Sequence, residues 1–216
     1  MGLFKGSLTV RRYRVLGEVP EDFRERYREN LEVNAFHEPM SAAHEGEVVG
    51  FTLIQNLLDT DFSDMNRWLF NHYLVAAMRI DKKVLPSKLF NAHLEQRVQM
   101  WCAEQRRERC PSKIKAEIKE ALTQEMLLKT LPRVQHYEFA WNIVDGWVAF
   151  LNLSEGVNDK FRTLFRNTFG LVLAPLSPLD LLEGLPEVGA RLEAQGISDY
   201  RPPAGLSITE GEEEGA

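Results

Sequence analysis

Residues 87–131 contain two long helical segments in succession, with no strand between them. Pro111 and Ser112 are the only break, and Pro132 ends the second segment because proline cannot donate into the helical ladder. A fold that alternates each strand with one helix has no place for such a pair. The pair therefore argues against a doubly wound parallel sheet.

Strand candidates lie on both sides of this helical pair and arrive as neighbours in the chain. A period of two over residues 136–143, the turn pair Asp145-Gly146 and a second apolar run predict a β-hairpin. We expect an α+β fold with antiparallel sheets and two long central helices. Strands are predicted over 8–16, 48–55, 73–84, 136–143, 147–153 and 171–176; further helices are predicted after Pro20 and over 157–169, and residues 57–69 are left as loop or short helix.

The helical pair is basic in an acidic chain. Residues 82–133 hold 12 lysines and arginines against 6 acids, a net charge of +6 in a chain of −6. A clustered basic element attracts polyanions whatever the charge of the whole chain. The candidate DNA-binding residues are Lys82, Lys83, Lys88, Arg106, Arg107, Arg109, Lys113, Lys115 and Lys119, with Arg11, Arg12 and Arg14 as helpers.

Helical spacing predicts a buried stripe on the first helix. Phe90, Leu94, Val98 and Trp101 lie on one side at 100° per residue. The second helix has a similar apolar side, into which Glu125 intrudes. The sequence alone leaves open whether the basic residues outside these stripes bind a polyanion or only form a solvated surface.

Motifs of several enzyme classes are missing from the chain. It has no phosphate-binding loop, no dinucleotide-binding glycine motif, no Gly-x-Ser-x-Gly nucleophile turn and no His-Glu-x-x-His pair. The spacing of Cys102 and Cys110 fits no zinc site. In a cytosolic protein both would remain reduced thiols, and a disulfide or redox switch is the alternative. We expect no cofactor and no enzymatic activity.

Two groups of residues leave metal chemistry open as an alternative. Asp59, Asp61 and Asp64 have the composition of a nuclease-like carboxylate cluster, although aspartates before a short helix are usually turn and cap residues. His37 and His44 bracket a loop that also contains acids, and exposed loop histidines are the alternative there.

Short motifs in a characteristic order resemble the RdgC family of bacterial recombination-associated proteins. The order runs from Lys83-Val84-Leu85-Pro86-Ser87 through Leu131-Pro132-Arg133, Trp141 and the Asp145-Gly146 turn to Leu164-Phe165-Arg166, Phe169-Gly170 and Leu173-Ala174-Pro175-Leu176-Ser177. The opening Leu3-Phe4-Lys5 and the strand after it are also similar.

This resemblance implies a non-enzymatic, nucleoid-associated cytoplasmic protein that binds double-stranded DNA with little sequence preference. It also implies a homodimer that closes as a ring around the duplex and restrains RecA in recombination and replication. Two departures bear on the ring: the usual Leu-Pro-Arg-Ala-Phe here ends Val134-Gln135, and the usual C-terminal section is replaced by an acidic end. We expect a folded region over 1–182, formed of one or two sheet-based lobes joined by helices 87–131, and a flexible tail over 183–216.

Two further functions remain open at this point. One is a protein-interaction module that keeps the fold without binding DNA, which the short chain and its acidic end favour. The other is a metal-dependent nuclease that uses Asp59, Asp61 and Asp64.

Overall fold

The structure is a computed structural model that describes residues 2, 3, 6, 8–41, 43–176, 191 and 194. The chain divides into two units, Met1–Pro175 and Leu176–Ala216. The fold described here is that of the first unit. The tail predicted over 183–216 lies outside the described residues apart from 191 and 194, and its flexibility stays a prediction.

The strands of the described residues form one curled sheet in the order β2-β4-β5-β6-β1-β7, with the short β3 pairing with β4. Every pairing between these strands is antiparallel, as predicted. The strands are β1 (Arg11–Leu16), β2 (Glu47–Thr52), β3 (Leu69–Phe70), β4 (Tyr73–Lys82), β5 (Arg133–Asn142), β6 (Trp147–Phe150) and β7 (Val172–Pro175).

The long antiparallel ladder between β4 and β5 is the centre of the sheet. It runs from the pair Tyr73↔Asn142 to the pair Lys82↔Arg133. The chain leaves this ladder at Lys82, forms both long helices and returns at Arg133. The helices are therefore an insertion between two paired strands, and both sides of the insertion belong to the same sheet.

The helices of the described residues are α1 (Phe23–Val33), α2 (Ser87–Glu104), α3 (Ser112–Lys129) and α4 (Glu155–Phe169). Only α1 and α4 cover the sheet with large buried side chains. Phe161 of α4 stacks on Phe150 of β6 with ring centroids 4.1 Å apart, and Tyr27 of α1 lies 5.4 Å from Trp141 of β5. Burial of these aromatic rings removes apolar area from water and so stabilises the unit.

Turn and cap residues account for the ends of these elements. Gly146 has φ 66° in the predicted β5–β6 turn, and Gly170 has φ 71° at the end of α4, a conformation that suits glycine. Asn142 holds the hairpin turn, because its amide donates to Asp145 Oδ2 at 2.7 Å. The two-residue β3 was not predicted; Asn71, with φ 55°, turns the chain from it into β4.

None of the helices in the described part of the chain combines the length and the apolar character that a bilayer crossing requires.

Candidate nucleic-acid interface

The helices α2 and α3, with the turn between them, form a two-helix arm over residues 87–129. They pack mainly on each other, and no arm residue belongs to the buried cluster of the sheet. The predicted stripe of Phe90, Leu94, Val98 and Trp101 is half-buried, so the prediction of a buried stripe is wrong. The physical reason is that α2 packs mainly on α3 and contributes no residue to the buried cluster of the sheet, so part of each stripe side chain stays exposed.

The turn at the tip of the arm is closed by two backbone hydrogen bonds. Arg106 N–H donates to Ala103 O at 3.2 Å, and Arg107 N–H donates to Cys102 O at 2.9 Å. This pairing is the Schellman motif, whose left-handed residue is usually glycine. Here that residue is Arg106, with φ 51°. An arginine therefore occupies a position where a side chain costs about 1 kcal/mol.

Exposed cations gather at this tip. Arg106, Arg107 and Arg109 lie in the turn, and Lys113 lies in the first turn of α3. All four side chains are exposed, and none forms an ion pair with an acid among the described residues. The neighbouring glutamates in the sequence suggest local compensation, but no such pair is present in the described turn.

Two further lysines continue from the tip along α3. Lys115 and Lys119 are one helical turn apart, so they project from the same side of the helix, and both are exposed. Lys113 projects from the opposite side at 100° per residue. The arm therefore presents cations on more than one side, and the densest group is at the tip.

The lysines at the base of the arm are held by structural contacts. Lys82 Nζ lies 3.0 Å from Glu47 Oε1, and Lys160 of α4 pairs with the same carboxylate. The hydrogen bond from Lys160 is the largest cause of a lowered pKa of the Glu47 carboxyl, and the hydrogen bond from Lys82 is the next. Lys83 Nζ donates to Leu127 O at 2.7 Å. Both lysines therefore have structural roles that tie the arm and α4 to β2 and β4.

Lys88 is exposed in the first turn of α2, far from the tip. The 18 residues of α2 give a separation of about 27 Å at 1.5 Å per residue. The nine predicted residues thus divide into a tip group with its extension along α3, two tethered lysines and one distant lysine. The structure does not bring all nine together.

The three helper arginines on β1 divide between the two faces of the sheet. Arg11 lies on the helix-covered face and pairs with Glu155 of α4, which raises the pKa of its guanidinium. Arg12 and Arg14 alternate with the buried Tyr13 and lie on the other face.

The aspartate cluster forms successive turns. Asp59 accepts from Asp61 N–H, Asp61 from Ser63 N–H and Asp64 from Asn66 N–H, each at 3.0–3.1 Å. Arg67 also pairs with Asp59 and Asp61. The carboxylates therefore act as hydrogen-bond acceptors in turns and at a helix cap, beside a cation. This arrangement agrees with the interpretation of these aspartates as turn and cap residues.

In the described part of the chain, no group of three or more His, Cys, Asp or Glu side chains is arranged to hold a metal ion. His37 and His44 are exposed. Cys102 and Cys110 are free thiols at the two ends of the tip turn.

A family model described as "Putative exonuclease, RdgC" matches residues 13–187 of the 216-residue chain. The chain belongs to the RdgC family. The matched span includes the arm and every strand and helix of the described sheet except the first two residues of β1. A search of curated proteins gives no match.

Membership in the RdgC family agrees with the α+β architecture and with the order of motifs seen in the sequence. Two features of this RdgC-family arm escaped sequence reasoning. The left-handed Arg106 had no signal, because arginine is not a residue that predicts a turn. The tethering of Lys82 and Lys83 depends on Glu47 and Leu127, which are distant in sequence.

Proposed function

We propose that this RdgC-family protein binds the phosphate backbone of double-stranded DNA through the tip of its two-helix arm. The observation that carries the proposal is the group of exposed cations without acidic partners: Arg106, Arg107, Arg109 and Lys113. The turn and start of α3 over 104–115 hold five cations and two acids. Such a cluster retains a positive potential although the chain as a whole is acidic.

The cost of the tip conformation supports the same proposal. A strained residue persists when something other than local stability maintains it, and such residues concentrate at functional sites. Arg106 occupies the position of the turn that suits glycine. Its side chain is exposed in the turn that joins the two helices.

Binding of this kind is non-enzymatic and weakly dependent on sequence. Phosphate contacts position a protein on the duplex but carry no base information directly. Each neutralised phosphate releases counterions, and log K falls with log salt by about 0.9 per contact. In this proposal the protein acts in DNA recombination and replication, associated with the nucleoid in the cytoplasm.

The proposal includes a homodimer. A dimer bound to DNA that RecA also uses would restrain RecA on that DNA. The arm exposes large apolar side chains that a second copy would cover: Leu89, Met100 and Leu128 are 51%, 56% and 59% exposed. A dimer that encloses the duplex escapes from closed circles more slowly than from linear DNA with free ends. Dissociation rates from the two forms therefore test enclosure separately from binding.

The decisive experiment is duplex binding measured across a salt series for the full chain. The triple variant R106A/R107A/R109A is expected to bind more weakly and to reduce the salt slope by about 0.9 for each phosphate that it no longer neutralises. The control is R24A/R26A/R166A, which removes the same charge from exposed positions on α1 and α4. Equal effects of both variants would refute the assignment to the tip.

Two other functions give different results in the same assays. A protein-interaction module would bind no duplex even at low salt. A nuclease acting through Asp59, Asp61 and Asp64 is favoured by the word exonuclease in the family's description. It would shorten DNA in magnesium or manganese, and D59N/D61N would abolish the cleavage.

A further inference from the structure

Cys102 and Cys110 lie at the two ends of the turn that joins α2 and α3. Both side chains are half-buried free thiols, whereas all seven residues between them are exposed. The cysteines are therefore the positions at which the turn leaves the packed part of the arm and returns to it.

Half-burial on α2 marks the side that packs on α3. The half-buried side chains of α2 recur at intervals of three and four residues, the spacing of one helix side, and Cys102 is the last of them. The chain enters α3 on the matching side, because Cys110 lies four residues before Ile114, the first half-buried residue of that helix. The half-buried residues of α2 are Phe90, Leu94, Arg97, Val98, Trp101 and Cys102.

Hydrogen bonds and charge place the two thiols near each other. Arg107 N–H donates to Cys102 O at 2.9 Å, which turns the chain back directly after α2. The Cys110 thiol donates to Pro111 O at 3.6 Å, so its sulfur lies beside the start of α3. Burial, and then the charge of a Cys102 thiolate, raise the pKa of Cys110, although Lys115 opposes them. The charge on Cys102 acts in this way only if the two sulfurs are close.

The dimensions of a helical pair suit a disulfide at this place. Axes of packed helices are about 8–10 Å apart and Cα atoms lie about 2.3 Å from each axis, so facing Cα atoms approach to about 3.5–5.5 Å. A disulfide requires Cα atoms about 4.4–6.8 Å apart. Two cysteines on facing sides of the arm, next to the turn, therefore meet the requirement with little backbone movement.

We propose that Cys102 and Cys110 are a redox-active pair that a peroxide converts into an intramolecular disulfide, which closes the tip turn covalently. One thiolate attacks a peroxide oxygen, and the O–O bond breaks. That cysteine becomes a sulfenic acid, while hydroxide leaves and is protonated to water. The second thiolate attacks the same sulfur and displaces hydroxide, which forms a second water. Two thiols thus give two electrons and two protons to one hydrogen peroxide, and a dithiol reductant reverses the reaction by exchange.

The ring that this disulfide closes contains the three arginines of the tip, Arg106, Arg107 and Arg109. A cross-link across a turn reduces the number of conformations that the turn can reach. The consequence for DNA rests on the proposed function. Arginines on a constrained turn lose less freedom when they bind phosphates, so the oxidised chain should bind duplex DNA more tightly. Formation of the disulfide does not depend on that function.

The test uses the full chain, treated with hydrogen peroxide or kept in dithiothreitol. The oxidised monomer is expected to lose the mass of two hydrogens, and peptide mapping without reductant should join the Cys102 peptide to the Cys110 peptide. Exposed turns are preferred sites of proteolysis, and trypsin cleaves after arginine. Cleavage at the tip arginines should be at least about threefold slower in the oxidised chain, because the closed turn opens less often.

C102S and C110S are the matched controls, since each removes one sulfur and keeps nearly the same side-chain size. Neither should lose two hydrogens or gain resistance to trypsin after peroxide. The double variant C102A/C110A serves the same purpose if a serine variant does not fold. Duplex affinity of the wild type should rise at least about twofold on oxidation, and that of C102S should not change.

The inference is overturned if peroxide gives a disulfide between two chains, or sulfinic acid at either cysteine, in place of the internal bridge. It is also overturned if trypsin cleaves the oxidised and reduced tips at the same rate. An internal disulfide that leaves duplex affinity unchanged would overturn only the coupling to DNA. The tip variants test the proposed function itself without any oxidant, so the two failures are distinguishable.

Discussion

Arg97 of α2 and Glu125 of α3 form an ion pair across the seam between the two helices of the arm. Their side chains are 38% and 41% exposed, so the pair lies at the edge of the seam. Lys129, one turn further along α3, also binds Glu125, at 2.6 Å. These interactions explain why an acid interrupts the apolar side of α3. The pair fixes which side of each helix faces the other.

The first prediction is a loss of arm stability at acidic pH. Lys129, and then Arg97, lower the pKa of Glu125 from 4.5 to about 2. A lowered folded-state pKa gives stability that is present above the unfolded pKa and lost as pH falls through the folded one. Thermal unfolding followed by helical circular dichroism should show the loss between pH 4.5 and 2. In E125Q this part of the pH dependence should be absent.

The control for this prediction is E117Q. Glu117 is exposed on the same helix and has no ion pair with a described residue. Its replacement should leave the wild-type pH dependence in place. An E125Q protein whose pH dependence equals that of the wild type would show that the ion pair adds nothing to the stability of the arm.

The second prediction is that Arg106→Gly separates stability from DNA binding. Glycine adopts the left-handed conformation without the clash that a side chain brings, so the turn should gain about 0.5–1 kcal/mol. Duplex affinity should fall because the tip has one cation fewer. Urea unfolding and a salt series measure the two effects. Arg107→Gly is the matched variant: Arg107 is outside the positive-φ region, so stability should not rise.

The third prediction distinguishes lysines of equal charge. K113A should weaken duplex binding, because Lys113 is exposed beside the tip arginines. It should also lower the salt slope by about one. K82A should leave both unchanged, because Lys82 is occupied by Glu47. Its removal should cost at most about 1 kcal/mol of stability, as for exposed ion pairs generally. Equal effects on DNA binding would contradict the division between tip and base.

Local patterns were sufficient to predict most elements of this fold. Period-two alternation and Asp145-Gly146 predicted the β5–β6 hairpin, and Pro111 and Pro132 predicted the break within the arm and its C-terminal end. Strand order was out of reach, because the position of β1 between β6 and β7 depends on pairing between chain segments far apart. The half-burial of α2 was missed for a related reason: an apolar stripe does not reveal whether a sheet or a single helix will cover it.

The candidate site, like the fold, could be predicted only in part from the sequence. Charge density along the chain located the tip cations, because Arg106, Arg107, Arg109 and Lys113 lie within one turn and the start of the next helix and so remain close in space. Which cations are available depends on distant acceptors, such as Glu47 for Lys82 and Leu127 O for Lys83. The contact between the Tyr73 and Trp147 rings was invisible in the sequence, since the two residues become neighbours only through the register of three strands.

The last prediction concerns the close approach of two backbones at Gly50 of β2. A Cβ at Gly50 would lie 2.4 Å from Phe36 Cα and 2.6 Å from Phe36 N. The neighbouring segment cannot retreat easily: Phe36 N–H donates to Phe51 O at 2.8 Å, and Phe51 N–H donates to Asn34 O at 2.9 Å. Gly50→Ala must therefore break these bonds or displace β2, at a cost of about 1–3 kcal/mol or more.

Urea unfolding of Gly50→Ala beside Gly156→Ala measures this cost against a matched change. Gly156 lies in the first turn of α4, and a Cβ there meets nothing within 4 Å. Its replacement should stabilise the protein by up to about 1 kcal/mol, since alanine loses less backbone entropy in a helix. Opposite signs for the two substitutions are expected. A Gly50→Ala protein as stable as the wild type would mean that the 34–36 segment is not held against β2 at this edge of the sheet.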